Sequence, residues 1–212
     1  LHGEEVILLG SDGDKGGEGA VDLHSIAVSP DGAGVAVGGA DGRLSLLRID
    51  EEGAWRLVRR VGIHDEINDV VFSPDGRFVA TVGEDGRLAM CDSAEGSLRR
   101  SWSIGDGALF GVAWSPDGRT LACGGTGRSV RLFPAEGGDD CLAVLHPFDG
   151  LVPPVSADAE VEAILFARPG LIAVAAGNRI VIHDIVADRV VHDLATLDGT
   201  VSHLTLSPDG KR

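Results

Sequence analysis

The tetrapeptide Ser-Pro-Asp-Gly begins at Ser29, Ser73, Ser115 and Ser207, at intervals of 44, 42 and 92 residues. A chain that returns to one turn at so constant a spacing is built from one supersecondary unit used repeatedly, which excludes most other folds at the outset. The last interval is about twice the others and predicts a degenerate copy near residue 165. "ILFARPGLIAVAAGNRIVIHD" stands there, with Phe166 and Gly170 in the places of Phe72 and Gly76. Five copies of the unit are therefore visible.

Residues 67–102 show what one unit contains. "INDVVF" reads as a first strand, "SPDG" as a turn and "RFVATV" as a second strand. "GEDG" then turns into "RLAMCD", a third strand, and "SLRRSW" is a fourth beyond Gly96. Four short antiparallel strands in about 40–45 residues is the signature of a propeller blade. Blades pack on both faces, which explains why neighbouring positions are often both apolar. The expected architecture is all-β: four complete four-stranded blades near 21–61, 65–103, 107–146 and 160–195, flanked by single strands at 5–9 and 201–206. Propellers usually close by completing one blade from both chain ends, which removes free edges. Four blades and two lone strands do not close that way, and the chain starts at Leu1. The expectation is a fragment of a propeller with about seven blades.

"VVFSPDGRFVATVGEDGRLAMCD", residues 70–92, resembles a WD40 repeat. That pattern runs from a His, through an apolar strand ending in Phe-Ser-Pro-Asp-Gly, to Asp-Gly and then Trp-Asp. The resemblance covers nearly the whole chain, and the second turn ("GGADGR" or "GEDGR") separates it from TolB-like and lactonase-like propellers that also use "SPDG". There are departures. No unit has Trp-Asp; the matching position holds Leu47 or Ile49, then Cys91, Phe133 and His183. WD40 blades often join a His, a Ser or Thr, the turn Asp and that Trp in a hydrogen-bonded tetrad. Only the second unit approaches it, with His64, Thr81 and Asp85 but Cys91 for Trp, while Gly127 and Gly177 replace the turn Asp further on. Apolar packing between blades is thus expected to carry the stability.

The repeated carboxylates read as turn chemistry. Pro suits the second turn position because its ring fixes φ, Gly takes the left-handed position, and Asp hydrogen-bonds nearby backbone. Asp31, Asp75, Asp117 and Asp209 fill this role in the first turn, and Asp41 and Asp85 cap the second. Arg43, Arg87 and Arg179 recur just after the second turn, where they either neutralise neighbouring acids or receive an acidic or phosphorylated partner. Arg59-Arg60 and Arg99-Arg100 fall on outermost strands, where charge protects an exposed edge. Phe110 stands where the second unit has Asn68 and is a candidate aromatic contact. Residues 146–162, "HPFDGLVPPVSADAEVE", break the repeat with three prolines and should protrude between blades. Phe148 and Leu151 could anchor a partner there, or fold the loop upon itself.

Other motifs fail on inspection. "GSDGDKGGEGAVDL" places Asp12, Asp14 and Gly17 as in a calcium loop, but Gly16 and Leu23 occupy ligand positions. "GGTGRS", residues 124–129, has Ala122 and Arg128 where a phosphate loop needs Gly and Lys. The seven histidines show no metal spacing, and His183 reads as packed. No catalytic residue, cofactor site or metal site is expected.

Composition narrows the partners. A formal charge of −15 disfavours direct nucleic-acid or anionic-membrane binding, since phosphate affinity depends on Lys and Arg. No run approaches the roughly 18 apolar residues of a bilayer span. Cys91, Cys123 and Cys141 are odd in number and fit reduced thiols of the cytoplasm or nucleus. The leading reading is a non-catalytic scaffold that presents propeller-face loops to a protein or peptide in a larger complex. The alternatives are a lactonase- or TolB-like enzyme or small-molecule binder using the central channel, and a part of an RNA-associated assembly. An enzyme would need His24, Asp69, Glu162 and His203, scattered on inner strands, to converge.

Overall fold

In a computed structural model, residues 21–105, 107–195 and 199–206 are described. The strand expected at 5–9, Asp12 and Asp14 of the calcium-like loop, and Asp209 lie outside these residues. The described elements are all strands. The first blade is β1 (Leu23–Val28), β2 (Gly34–Gly39), β3 (Arg43–Ile49) and β4 (Trp55–Gly62). The second is β5 (Ile67–Phe72), β6 (Phe78–Gly83), β7 (Arg87–Asp92) and β8 (Leu98–Ser103). The third is β9 (Leu109–Trp114), β10 (Thr120–Gly125), β11 (Val130–Pro134) and β12 (Ala143–Leu145). The fourth is β13 (Val161–Arg168), β14 (Leu171–Ala176), β15 (Arg179–Asp184) and β16 (Arg189–Ala195). Each blade is a four-stranded antiparallel meander in chain order. The first strands stand side by side, β1 against β5, β5 against β9 and β9 against β13, and so wall a central channel.

The first turn is built identically in three blades. In the second blade the Ser73 hydroxyl donates to Asp75 Oδ1 at 2.6 Å and accepts the Phe78 N–H at 3.0 Å. The same Asp75 oxygen accepts the Arg77 N–H at 3.1 Å. Gly76 closes the turn at φ 74°, a left-handed conformation that a side chain would strain. Asp31 with Ser29, and Asp117 with Ser115, repeat the arrangement. The Ser hydroxyl is the chief reason that Asp31, Asp75 and Asp117 are all held below the ordinary carboxylate pKa.

Another glycine of the first three blades has a packing role that the turn motif does not reveal, and Ala176 stands in its place in the fourth. A Cβ at Gly39, Gly83 or Gly125 would lie 2.1, 2.1 and 2.0 Å from the carbonyl oxygens of Asp22, Glu66 and Ala108. Those carbonyls accept the N–H groups of Ala40, Glu84 and Thr126, so the approach to each blade is pinned to its second strand.

The core lies between blades rather than within them. Leu44, Leu46, Ile67, Val79 and Cys91 join the first and second blades, and Leu88, Met90, Trp102, Val112, Leu121 and Phe133 join the second and third. Trp102 and Phe133 meet with ring centroids 5.6 Å apart. Arg100 does more than protect an edge, since its guanidinium lies over Trp102 and donates to the carbonyls of Pro134 and Ala135 at 3.1 Å. Arg60 likewise pairs with Asp41 at 2.5 Å and is largely covered.

Two expectations are corrected. Residues 201–206, read as a strand, form no ladder with the described strands; the Val201 N–H instead donates to the Gly177 carbonyl at 2.7 Å. Residues 146–160 do not protrude as a binding arm: Phe148, Val155 and Ala159 are buried with Ile164 and Val174 of the fourth blade. Phe148, Val155 and Ala159 are more stable against the blade than in water and tie the loop to it, while Val152 stays exposed.

Candidate interaction face at the channel mouth

Each inner strand carries one extra residue at the same place. In the register of the first and second strands, His24, Asn68, Phe110 and Glu162 have no partner opposite them. Such a bulge bends the strand and re-aims a side chain. Here four consecutive blades use it, so these four residues form one ring position around the channel. All four line a single open cavity of about 600 Å³, together with Asp69 and His203. The four titratable groups that a channel chemistry would require are therefore brought to one space.

Asp69 is committed to holding blades together. Its Oδ1 accepts the hydroxyl of Ser25 from the first blade at 2.8 Å, and its Oδ2 accepts the N–H of Val112 from the third at 3.0 Å. Oδ1 also accepts the N–H of Val70 at 2.9 Å, which the Ser25 hydroxyl oxygen shares at 3.1 Å. The residue keeps some exposed surface toward the channel, yet its carboxyl group is enclosed by three blades, and that desolvation pushes its pKa up against the pull of the hydrogen bonds. His24 Nδ1 lies 3.2 Å from Glu66 Oε1. Asn68 donates to Glu84 Oε1 and to the carbonyl of Leu109, both at 3.0 Å. Glu162 has its pKa raised by burial first and by the charge of Glu160 second.

On the same face the second turn of the second blade carries a buried polar chain. His64 Nδ1 lies 2.8 Å from Asp85 Oδ1, and Nε2 lies 2.9 Å from Thr81 Oγ1. Asp85 also accepts the Arg87 N–H, as Asp41 accepts that of Arg43. Cys91 is fully buried in the apolar cluster beside this chain.

The residues singled out for partner contact divide sharply. Arg43 is exposed and Phe110 half-exposed on the channel face. Arg87 bends back onto the Ser101 hydroxyl at 2.9 Å, with Asp85 Oδ2 3.8 Å away, and leaves 37% of its side chain exposed. Arg179 is corrected to a structural clamp: it is buried, paired through two nitrogens with Asp193, and donates to the Pro153 carbonyl at 2.6 Å. Phe148 is 7% exposed and Leu151 packs beside the same core, so both anchor the loop to its own protein. His183 is buried with Nε2 3.1 Å from Asp188. Among the described residues, no group of three or more His, Cys, Asp or Glu side chains is arranged to hold a metal ion.

The bulge ring and the Asp69 staple were missed in the sequence. Their signal is the polar pair that interrupts alternation at the second and third residues of an inner strand, His24-Ser25 and Asn68-Asp69.

A family model described as the anaphase-promoting complex subunit 4 WD40 domain matches residues 28–109. A second, described as WD domain, G-beta repeat, matches residues 97–133. Residues 28–133 thus match models of the WD40-repeat family. No curated protein matches it. As a WD40 propeller it is a degenerate one: the His64–Asp85–Thr81 chain keeps the family's polar tetrad in one blade, with buried Cys91 in the place of the Trp. WD40 domains act as scaffolds for protein interactions.

Proposed function

We propose that this chain is a non-catalytic interaction scaffold that presents the face bearing its second turns and bulge ring to a protein or peptide within a larger assembly. The observation that carries this reading is the use made of Asp69. The channel carboxylate best enclosed by protein is bonded to Ser25, Val70 and Val112, so it serves as a tie between blades and not as a free base. The exposed groups of the same face stand on rigid sheets, where loops supply recognition. One matched family model is named for a subunit of a complex, which supports an assembly role. Cys91, Cys123 and Cys141 are unpaired, which supports placement in the cytoplasm or nucleus.

The test is affinity purification of the tagged protein and of two variants. Arg43→Glu alters the proposed face, and Arg119→Glu alters the first-turn face at the opposite end of the strands. Co-purifying proteins lost with the first variant and kept with the second support the reading. Equal retention by both would place recognition elsewhere, and turnover of a small substrate tracking Glu162 would replace the scaffold by an enzyme.

A further inference from the structure

We propose that the channel mouth between Phe110 and Glu162 is a socket for one cationic side chain, a lysine or arginine carried by an extended segment of a partner protein. The inference rests on the scaffold reading and names the chemistry of its partner. Phe110 and Glu162 hold the same bulge position on the neighbouring inner strands β9 and β13, and both line the cavity of about 600 Å³. That volume lies within the range of small-ligand pockets, so one long side chain enters with room for its hydration. The ring supplies a π face and the carboxylate a charge, the two groups that attract a guanidinium or ammonium most directly.

The other bulge residues are already occupied. His24 sits against Glu66, and Asn68 bonds Glu84 and the Leu109 carbonyl. Glu162 is different: it is half-buried and has no hydrogen-bond or ion-pair partner among the described residues. Burial disfavours its ionised form, and the charge of Glu160 adds to that cost. An incoming cation relieves both. Glu66, Glu84 and Glu160 extend the negative field around the mouth, in a chain of net charge −15, so long-range steering favours a basic segment over an acidic one. A segment of chain is the fitting source because the mouth is open to solvent. A free amine would bury little surface there, whereas a peptide adds contacts with the surrounding turns.

The probe is a fluorescein-labelled Gly-Ser peptide of nine residues with a single central arginine, compared with lysine, norleucine and glutamate at that place. Binding to the 212-residue chain is read by anisotropy at two salt concentrations. The expected result is salt-sensitive binding of the arginine and lysine peptides. It should weaken about tenfold in Glu162→Gln and several-fold in Phe110→Leu, and stay unchanged in Glu95→Gln, a carboxylate on a remote turn. Equal binding of the norleucine peptide, or equal weakening by Glu95→Gln, would overturn the proposal in favour of diffuse attraction. Free arginine amide competing as well as the peptide would overturn the assignment to a chain-borne residue. If the affinity-purified partners persist in Glu162→Gln while the peptide is lost, the scaffold stands and this socket is not its contact.

Discussion

Asp69 Oδ2 accepts the backbone N–H of Val112 at 3.0 Å, so a side chain of one blade completes the inner edge of the next. The first blade does the same one step earlier, where the Ser25 hydroxyl oxygen meets the Val70 N–H at 3.1 Å. An inner strand has a hydrogen-bonding edge with no further strand of its own sheet to pair it. These links satisfy part of that edge and fix the angle between blades. Asp69→Ala leaves the Val112 N–H without its acceptor and should destabilise the fold by about 2–3 kcal/mol, read by urea denaturation. Asp69→Asn keeps one acceptor and should cost less. Equal losses would mean that volume, not hydrogen bonding, matters at this site.

The same residue predicts an unusual pH dependence. Burial raises the folded-state pKa of Asp69 above its ordinary value of 3.8, so its contribution to stability is full below that value and is lost as pH rises through the folded pKa. Asp75 runs the other way. Its pKa is lowered chiefly by the Ser73 hydroxyl, so its contribution is present above the ordinary value and disappears as pH falls through the depressed one. Melting temperatures from about pH 3 to pH 7 should show Asp69→Asn gaining on the parent as pH rises, and Asp75→Asn falling behind it. A pH-independent difference for Asp69→Asn would contradict the assignment.

Thiol reactivity should report the packing between blades. Burial pushes the Cys91 thiol up to about 11 and that of Cys123 up to about 12. Cys141 is exposed. At about pH 8 a disulfide reagent should titrate Cys141 rapidly in the native protein and all three thiols only after unfolding in guanidinium, because the thiolate is the reactive form. Rapid native labelling of Cys91 would show that the cluster replacing the family's Trp is loosely packed.

The blades were legible because turn chemistry is local. Ser73, Asp75 and Gly76 satisfy one another within four residues, so their spacing alone counts the units. Strand positions followed from those turns and from the apolar runs between them. Contacts between units leave a fainter mark. Nothing local in "INDVVF" says that Asp69 reaches Val112, more than forty positions later. Arg179 was misread for a related reason. Its place after the second turn matches Arg43 and Arg87, but only the folded loop brings the Pro153 carbonyl to it. A position in a repeat predicts the backbone around a side chain; its partners come from whatever irregular segment lies nearest.

That clamp makes the 146–160 loop a test of its own. Arg179 holds Asp193 on β16 and the loop carbonyl of Pro153 together, while Phe148 fills the core below. Arg179→Ala should lower the melting temperature and speed chymotrypsin cleavage after Phe148 several-fold, since local opening exposes the bond. Arg179→Lys should recover only part of the protection, because an ammonium cannot pair bidentately and reach the carbonyl at once. Unchanged cleavage in Arg179→Ala would mean that Phe148 alone holds the loop.

The third blade lacks the link that the first two provide, and its glycine shows why. Gly111 occupies the register place of Ser25 and Asp69, and a Cβ there would lie 3.3 Å from both the Ala163 Cα and the Ile164 nitrogen. The fourth blade thus sits closer to its neighbour than a side chain comfortably allows, and it would have to move back by a few tenths of an ångström. Gly111→Ala should therefore destabilise the protein by about 1–2 kcal/mol through overpacking against backbone. Gly111→Ser carries the same Cβ but adds an oxygen directed toward the Ile164 N–H, as Ser25 does toward Val70. It should recover part of the loss, by the roughly 1 kcal/mol of one hydrogen bond. Denaturant midpoints ranked parent, Gly111→Ser, Gly111→Ala would establish that the inter-blade link is a transferable device. If the serine variant is the less stable of the two, the spacing between the third and fourth blades forbids the bond.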